Sequence, residues 1–221
     1  MTERQKRRYA LLQTNYTDLM NVAGRSDFIH IEAIEVEPPW PPDRYIVTYT
    51  CVGISGVNAA REPVTSSLHR CELYLSQDYP KKVPSLLWLT PIWHPNIMHR
   101  EPRHVCTNEV QNYYPGKSLG ELIEWLGELV QYKRYHARHE PPFPIDTEVA
   151  QWVLDVAEPK GWISTQKPVD SRPLLRGLGI VQGSPPPAPA PVGIKWGKPG
   201  GPKPGGIKWG RASEQGVGQG S

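Results

Sequence analysis

The chain has 221 residues, of which 25 are proline and 20 glycine, and 25 basic against 22 acidic residues leave a formal charge of +3. That length suits one domain of about 150 residues with an extension, and the near-balanced charge argues against a nucleic-acid partner, which calls for a clustered basic face. Cys51, Cys71 and Cys106 make no closely spaced pair, the opening MTERQKRRYA lacks a signal peptide's apolar core, and no run of about 18 apolar residues offers a membrane span. A reducing cytoplasm, in which cysteines stay thiols, is the expected location.

Residues 2–23 read as an amphipathic helix. Thr2 and Gln5 make a capping box, Tyr9, Leu12, Tyr16, Leu19 and Met20 recur on one face, and Gly24 stops it. Four strand signals follow, FIHIEAIEV, RYIVTYTCVGI, HRCELYLS and SLLWLTPI, rich in β-branched and aromatic residues. In the first, Ile29, Ile31 and Ala33 alternate with polar neighbours; in the third, Cys71, Leu73 and Leu75 alternate with Arg70, Glu72 and Tyr74. The clusters EPPWPPD, GISGVNAAREP and SQDYPKKVP between them read as turns, so the strands form an antiparallel meander.

Next comes WLTPIWHPNIMHREPRHVCTNEVQNYYPGKSLGEL, which has no period until Ser118. From there SLGELIEWLGELVQYKRYH is helical: Ser118 and Glu121 form a second capping box, and Leu119, Leu122, Ile123, Leu126, Leu129 and Val130 face one way. The basic residues of QYKRYHARHE suit the helix's C-terminal carbonyls, with a partner-binding patch as the second reading. HEPPFP breaks the helix, and DTEVAQWVLDVA is a short last one with Val149, Trp152, Val153 and Val156 on one side. The order gives an α+β class, with the core ending near residue 165. Residues 166–221 are a Pro/Gly-rich tail that buries too little apolar surface to order itself. GIKWG occurs in it at 193–197 and again at 206–210, either as slippage in a linker or as a bivalent motif with Trp anchors.

A lone thiol in a long irregular segment admits three readings: a nucleophile, a metal ligand or an incidental loop cysteine. His94, His99, His104 and Cys106 are zinc-ligand types, and the two His–His spacings nearly fit paired ligand units. One cysteine with three histidines is an uncommon zinc set, however, and it would consume the exposed thiol; no metal is expected. Cys51 and Cys71 sit in strand patterns as small core hydrophobes.

The ordered set of signatures resembles the ubiquitin-conjugating enzyme (E2) family over residues 2–160. Tyr79, Pro80 and Pro84 match its Tyr-Pro-x-x-x-Pro turn; His94, Pro95 and Asn96 match its His-Pro-Asn signature; Cys106 follows His94 by twelve residues, slightly more than usual. YYPGKSLGELIEWL resembles the Trp-Ser-Pro turn with its helix, and DTEVAQW the short helix that ends the family's core. The resemblance implies the E2 fold: an N-terminal helix, a four-stranded antiparallel meander, an active-site loop and C-terminal helices. It implies no cofactor, and three partners: an E1-like activating enzyme, a ubiquitin-like modifier and a target protein. Cys106 would carry the modifier as a thioester and an amine would attack it. By resemblance Asn96 supplies an oxyanion donor or braces the loop that does, His94 and Pro95 are structural, and Tyr114 and Pro115 line the groove beside the thiol. The RQKRR run resembles the surface on which the family docks its E1.

Three positions depart from the family pattern. Lys81 stands where many members have an aromatic that meets a RING-type ligase; Tyr113 or Tyr114 stands for the Trp of Trp-Ser-Pro; and Phe143 falls where many have an acidic residue gating the attacking lysine, leaving Glu140 and Asp146 as candidates. The style of the sequence is closer to stand-alone E2-like proteins of bacterial conjugation operons, many serving antiphage defence. The alternatives are a non-catalytic E2-variant binding module, which usually lacks the cysteine, and a thiol hydrolase, which needs a histidine base beside it.

Overall fold

A computed structural model of the chain describes residues 1–105, 118–141 and 143–176. Two units divide the chain, Met1–Gly179 and Ile180–Ser221. The second lies outside the described residues, as do both GIKWG copies.

The N-terminal helix α1 spans Glu3–Gly24. Its capping box forms in full: Thr2 accepts from the Gln5 N–H at 3.3 Å, and the Gln5 side chain accepts from the Thr2 N–H at 2.7 Å. The buried stripe is Leu12, Asn15, Leu19 and Val22. Tyr9, expected on that face, is exposed and lies against Trp40.

Strands β1 (Ile29–Ile34), β2 (Arg44–Tyr49), β5 (His69–Tyr74) and β6 (Ser85–Trp88) form the antiparallel meander read from the sequence. The alternation holds: Cys71 and Leu73 are fully buried, while Arg70 faces out. Two features were not read. The run RYIVTYTCVGI breaks after Tyr49, and GISGVNAAREP, expected as a turn, builds the hairpin β3 (Gly53–Val57) and β4 (Pro63–Ser66). A two-residue fifth strand, β7 (Arg103–His104), adds to the free edge of β6.

Helix α2 (Leu119–Val130) packs on α1, and all six residues expected on its apolar face are buried. Its cap is tertiary. Ser118 Oγ accepts from the Glu121 N–H at 3.2 Å and itself donates to Asp18 of α1, whose carboxylate also accepts from the Gly120 N–H at 2.8 Å. A carboxylate there meets the positive end of the helix dipole. Two glycines permit the close contacts: a Cβ on Gly120 would stand 2.6 Å from Val22, and one on Gly127 2.6 Å from Leu174.

The last helix, α3 (Thr147–Trp152), continues into a π-helical turn, Val153–Ala157. The wider turn rotates the buried face, so Ala157 takes the inward place expected for Val156.

The core does not stop near 165. Leu174 is buried, its carbonyl accepts from Ser26 Oγ at 2.5 Å, Asp170 accepts from the Val52 N–H at 2.9 Å, and the Arg176 N–H reaches the Arg25 carbonyl at 2.9 Å. Residues 166–176 are therefore a strap on the core. The composition shift at Pro168 signals where regular structure ends, not where packing ends.

Candidate active site

Helix α2 ends in a Schellman motif: the Tyr132 N–H donates to the Leu129 carbonyl at 2.9 Å and the Lys133 N–H to the Glu128 carbonyl at 3.0 Å. The position that ordinarily holds glycine is Tyr132, at φ 58°. A left-handed non-glycine residue is strained by about 1–2 kcal/mol, and burial holds it: Tyr132 is fully buried, its ring lies 4.7 Å from that of His94, and its hydroxyl donates to the Trp93 carbonyl. The turn brings residues 133–140 back against the His-Pro-Asn segment. The basic run is thus beyond the helix end, contrary to the expected C-terminal charge cap. Arg134 pairs with Glu128 of α2, and Lys133 Nζ donates to the Arg172 carbonyl at 2.5 Å.

His94 is fully buried. Its Nδ1 accepts from the Asn96 N–H at 3.1 Å and its Nε2 donates to the Arg134 carbonyl at 3.1 Å. Both ring nitrogens are engaged in one neutral tautomer, and burial pushes the pKa down to about 3 against the hydrogen bond to Arg134. The ring is a strut between two backbone groups, with no nitrogen left for a metal or for base work. Pro95 is buried beside it, and its carbonyl accepts from the Asp146 N–H at 3.0 Å.

Asn96, 1% exposed, clasps one peptide unit on each side of His136: its Oδ1 accepts from the His136 N–H at 2.8 Å, and its Nδ2 donates to the His136 carbonyl at 3.3 Å. This is a brace across the site, and among the described residues the second Nδ2 hydrogen has no acceptor. Next in the chain, Ile97 bridges Val105, and the Met98 N–H donates to the His104 carbonyl at 3.0 Å. The residue immediately before Cys106 is therefore held against the residue immediately after Asn96. Cys106 itself, with Tyr114 and Pro115, lies outside the described residues.

The two acidic candidates separate. Asp146 is 3% exposed and caps α3 through Val149 N–H at 3.1 Å, while its other oxygen accepts from His99 N–H at 2.9 Å and His99 Nδ1 at 2.6 Å. It staples the loop after Asn96 to α3, with both oxygens occupied. Glu140 is exposed, at the rim of a groove of about 520 Å³. With His94 committed to backbone, His99 to Asp146 and His104 exposed on β7, the three histidines do not converge, and the described residues hold no cluster of metal-ligand type. Cys51 and Cys71 are fully buried, and burial raises both thiol pKa values, that of Cys51 to about 12.

Sequence reasoning missed Arg134 and His136, whose backbones receive the His94 and Asn96 side chains, and it missed His99. Backbone partners leave no residue-type signal; His99 was read only as a metal ligand, by its spacing from His94 and His104.

No protein-family model matches the chain, and a search of curated proteins returns no match. Among solved structures it is similar to the E2 domain of a Toxoplasma gondii ubiquitin conjugating enzyme, at 15% identity and a TM-score of 0.46, over 71% of this chain and 93% of that one. It is also similar to a Plasmodium vivax ubiquitin conjugating enzyme E2, at 17% identity and a TM-score of 0.38, over 54% of this chain and 97% of that one. The likeness is one of fold alone. An N-terminal helix, an antiparallel meander and a His-Pro-Asn loop strapped beneath the turn after α2 give the α+β class expected from the sequence.

Proposed function

We propose that the chain is an E2-type conjugating enzyme. Cys106 takes the C-terminal acyl group of a ubiquitin-like modifier from an E1-like activating enzyme and passes it to an amine of a target protein. The observation that carries the reading is the double strapping of the His94–Asn96 turn, by Asn96 to His136 and by Ile97 to Val105. It fixes the turn between the loop after α2 and the residue preceding the thiol.

In charging, the Cys106 thiolate attacks the modifier's activated carbonyl, a C–S bond forms and the E1 thiolate leaves. In discharge, the neutral amine attacks that carbonyl, the C–N bond forms, the C–S bond breaks, and the amine proton passes to a base. No metal or bound cofactor takes part in these steps. Asn96 serves first as the brace, with its remaining N–H as the oxyanion donor, a role worth about 10²–10³ in rate. A thiol hydrolase would need a free imidazole base; both ring nitrogens of His94 are engaged, which leaves the exposed His104 as its candidate. The bacterial antiphage setting belongs to the same proposal; a neighbouring gene for an E1-like adenylyltransferase and another for a small β-grasp protein are its expected signature.

With E1, ATP and modifier, the protein should form an adduct that thiol reductant cleaves. Cys106→Ala should abolish it, and Cys106→Ser should trap an oxyester that survives reductant. Full transfer by the alanine variant overturns the assignment, and modifier release without E1 or ATP establishes the hydrolase instead.

A further inference from the structure

The His94–Asn96 turn stands between two walls. One is the loop after α2, where the backbones of Arg134 and His136 receive the His94 and Asn96 side chains. The other is the start of β3, where the Ile54 carbonyl accepts from the N–H of Trp93, the residue before His94, at 2.8 Å. The strap meets both walls through residues 169–172. At the foot of the first, the Val169 N–H donates to the Gln131 carbonyl at 2.9 Å. There too the Arg172 carbonyl accepts from Gln131 Nε2 at 2.9 Å and from Lys133 Nζ at 2.5 Å. Between these contacts Asp170 turns to the second wall, and its Oδ2 accepts from the Val52 N–H at 2.9 Å, one residue before β3. The Asp170 side chain is 4% exposed. Arg172 satisfies the rest of the carboxylate, its N–H donating to Oδ1 at 3.0 Å and its Nη2 to Oδ2 at 2.6 Å. A buried carboxylate is costly unless it is paired and hydrogen-bonded, and here the pairing locks it across the two walls.

We propose that Asp170 is a positioning residue for the His94–Asn96 turn: with Arg172 it latches the strap across both walls, and release of the strap opens the turn without unfolding the sheet. Strap, walls and turn then open as one cooperative unit, at a lower cost than global unfolding. Val169 belongs to the same unit, packing its partly buried side chain against the apolar group of Tyr132 and Trp152. The strap also joins the C-terminal extension to the rest of the chain, so whatever displaces it acts on the turn. The coupling is reciprocal: loosening the turn must loosen the strap. Cys106 takes no part in this latch, which stands apart from the E2 reading.

The test is native-state amide hydrogen exchange on the full chain, read by NMR. The reporters are the Asn96 N–H, held by His94, and the His136 N–H, held by Asn96; neither donates to Asp170. Asp170→Ala should speed exchange at both about tenfold, the worth of a hydrogen bond to a charged group, and leave the paired amides of β2 and β5 unchanged. Asp170→Asn, which keeps an acceptor for the Val52 N–H, should recover most of that change. In the other direction, Asn96→Ala should speed exchange at the Val52 and Val169 amides. Faster exchange confined to Val52, Val169 and Arg172 in the Asp170→Ala protein makes Asp170 a local fastener and overturns the inference. So does an equal rise throughout β2 and β5, which means global unfolding. Should the alanine variant fail to fold, Lys133→Met cuts one strap contact at a half-buried position. About threefold faster exchange at His136 is then expected, and an unchanged rate there overturns the inference.

Discussion

Two clusters of buried residues divide the work of this fold. The larger lies between the sheet, α1 and α2, and its members, among them Leu12, Leu19, Val47, Leu73, Ile123 and Leu126, recur at strand or helix period. The smaller gathers Ile54, Tyr132, Val149, Trp152, Val153 and Ile163 from a hairpin, a helix end, a π turn and a loop. The His-Pro-Asn segment leans on the second, through contacts of Trp93 with Trp152 and of His94 with Tyr132. In the first cluster, order comes from area removed from water. In the second it comes from polar staples that each fix a single geometry: His94, Asn96 and Asp146. Bulk stability and site geometry thus rest on different residues, and variants should separate them.

The largest loss is expected from Leu126→Ala, a fully buried position in the first cluster: about 3 kcal/mol in denaturant unfolding, from lost transfer energy and the cavity left behind. Amide exchange should rise across the whole sheet. Removal of the strap comes next. Truncation after Thr165 exposes the site of Leu174 and leaves the Val52 N–H without its Asp170 partner, about 2–3 kcal/mol and a fall in Tm of at least 5 °C. Truncation after Arg176 should leave Tm unchanged, and equal Tm values for the two would show the strap to be dispensable.

Asp146→Ala strips acceptors from the His99 and Val149 amides and the His99 ring, about 2 kcal/mol. Its effect should be uneven, with exchange rising most at residues 97–105 and little in β2 and β5. A uniform rise instead would erase the distinction between the two clusters.

The effect of pH is spread over a window and not set by the loss of one side chain. His94 is held neutral, with its folded pKa near 3, well below the ordinary value of 6.5. Between those values the unfolded chain binds the proton and the folded chain does not, so stability falls as pH drops from 6.5 toward 3, by at most about 1.4 kcal/mol per pH unit. His69, also pushed down by burial, acts in the same direction. Unfolding of His94→Gln should show a shallower slope over that window.

Much of the first cluster was legible because burial on one face imposes a period on the chain. The α2 face was read residue by residue, and so were the α1 capping box and the inward set of β5. The hairpin β3–β4 was not, since Gly53, Gly56 and Pro63 carry turn chemistry that pairing overrode. Of the candidate site, His94 and Asn96 were legible as a signature, but what they hold was not: Arg134 and His136 contribute main-chain atoms, which every residue possesses. Asp146 was legible as an acid, yet only packing shows that both its oxygens are occupied.

The sequence by itself determined the order of the helices and of the four meander strands, most of the inward faces and the signature residues, because periodicity and residue type are properties of the local chain. Tertiary structure decided which side chain caps which helix, that Asp146 is buried as a staple while Glu140 is exposed, and that the core runs on to Arg176. Those outcomes depend on hydrogen-bond partners tens of residues apart, and only the folded chain brings them within 3 Å or so.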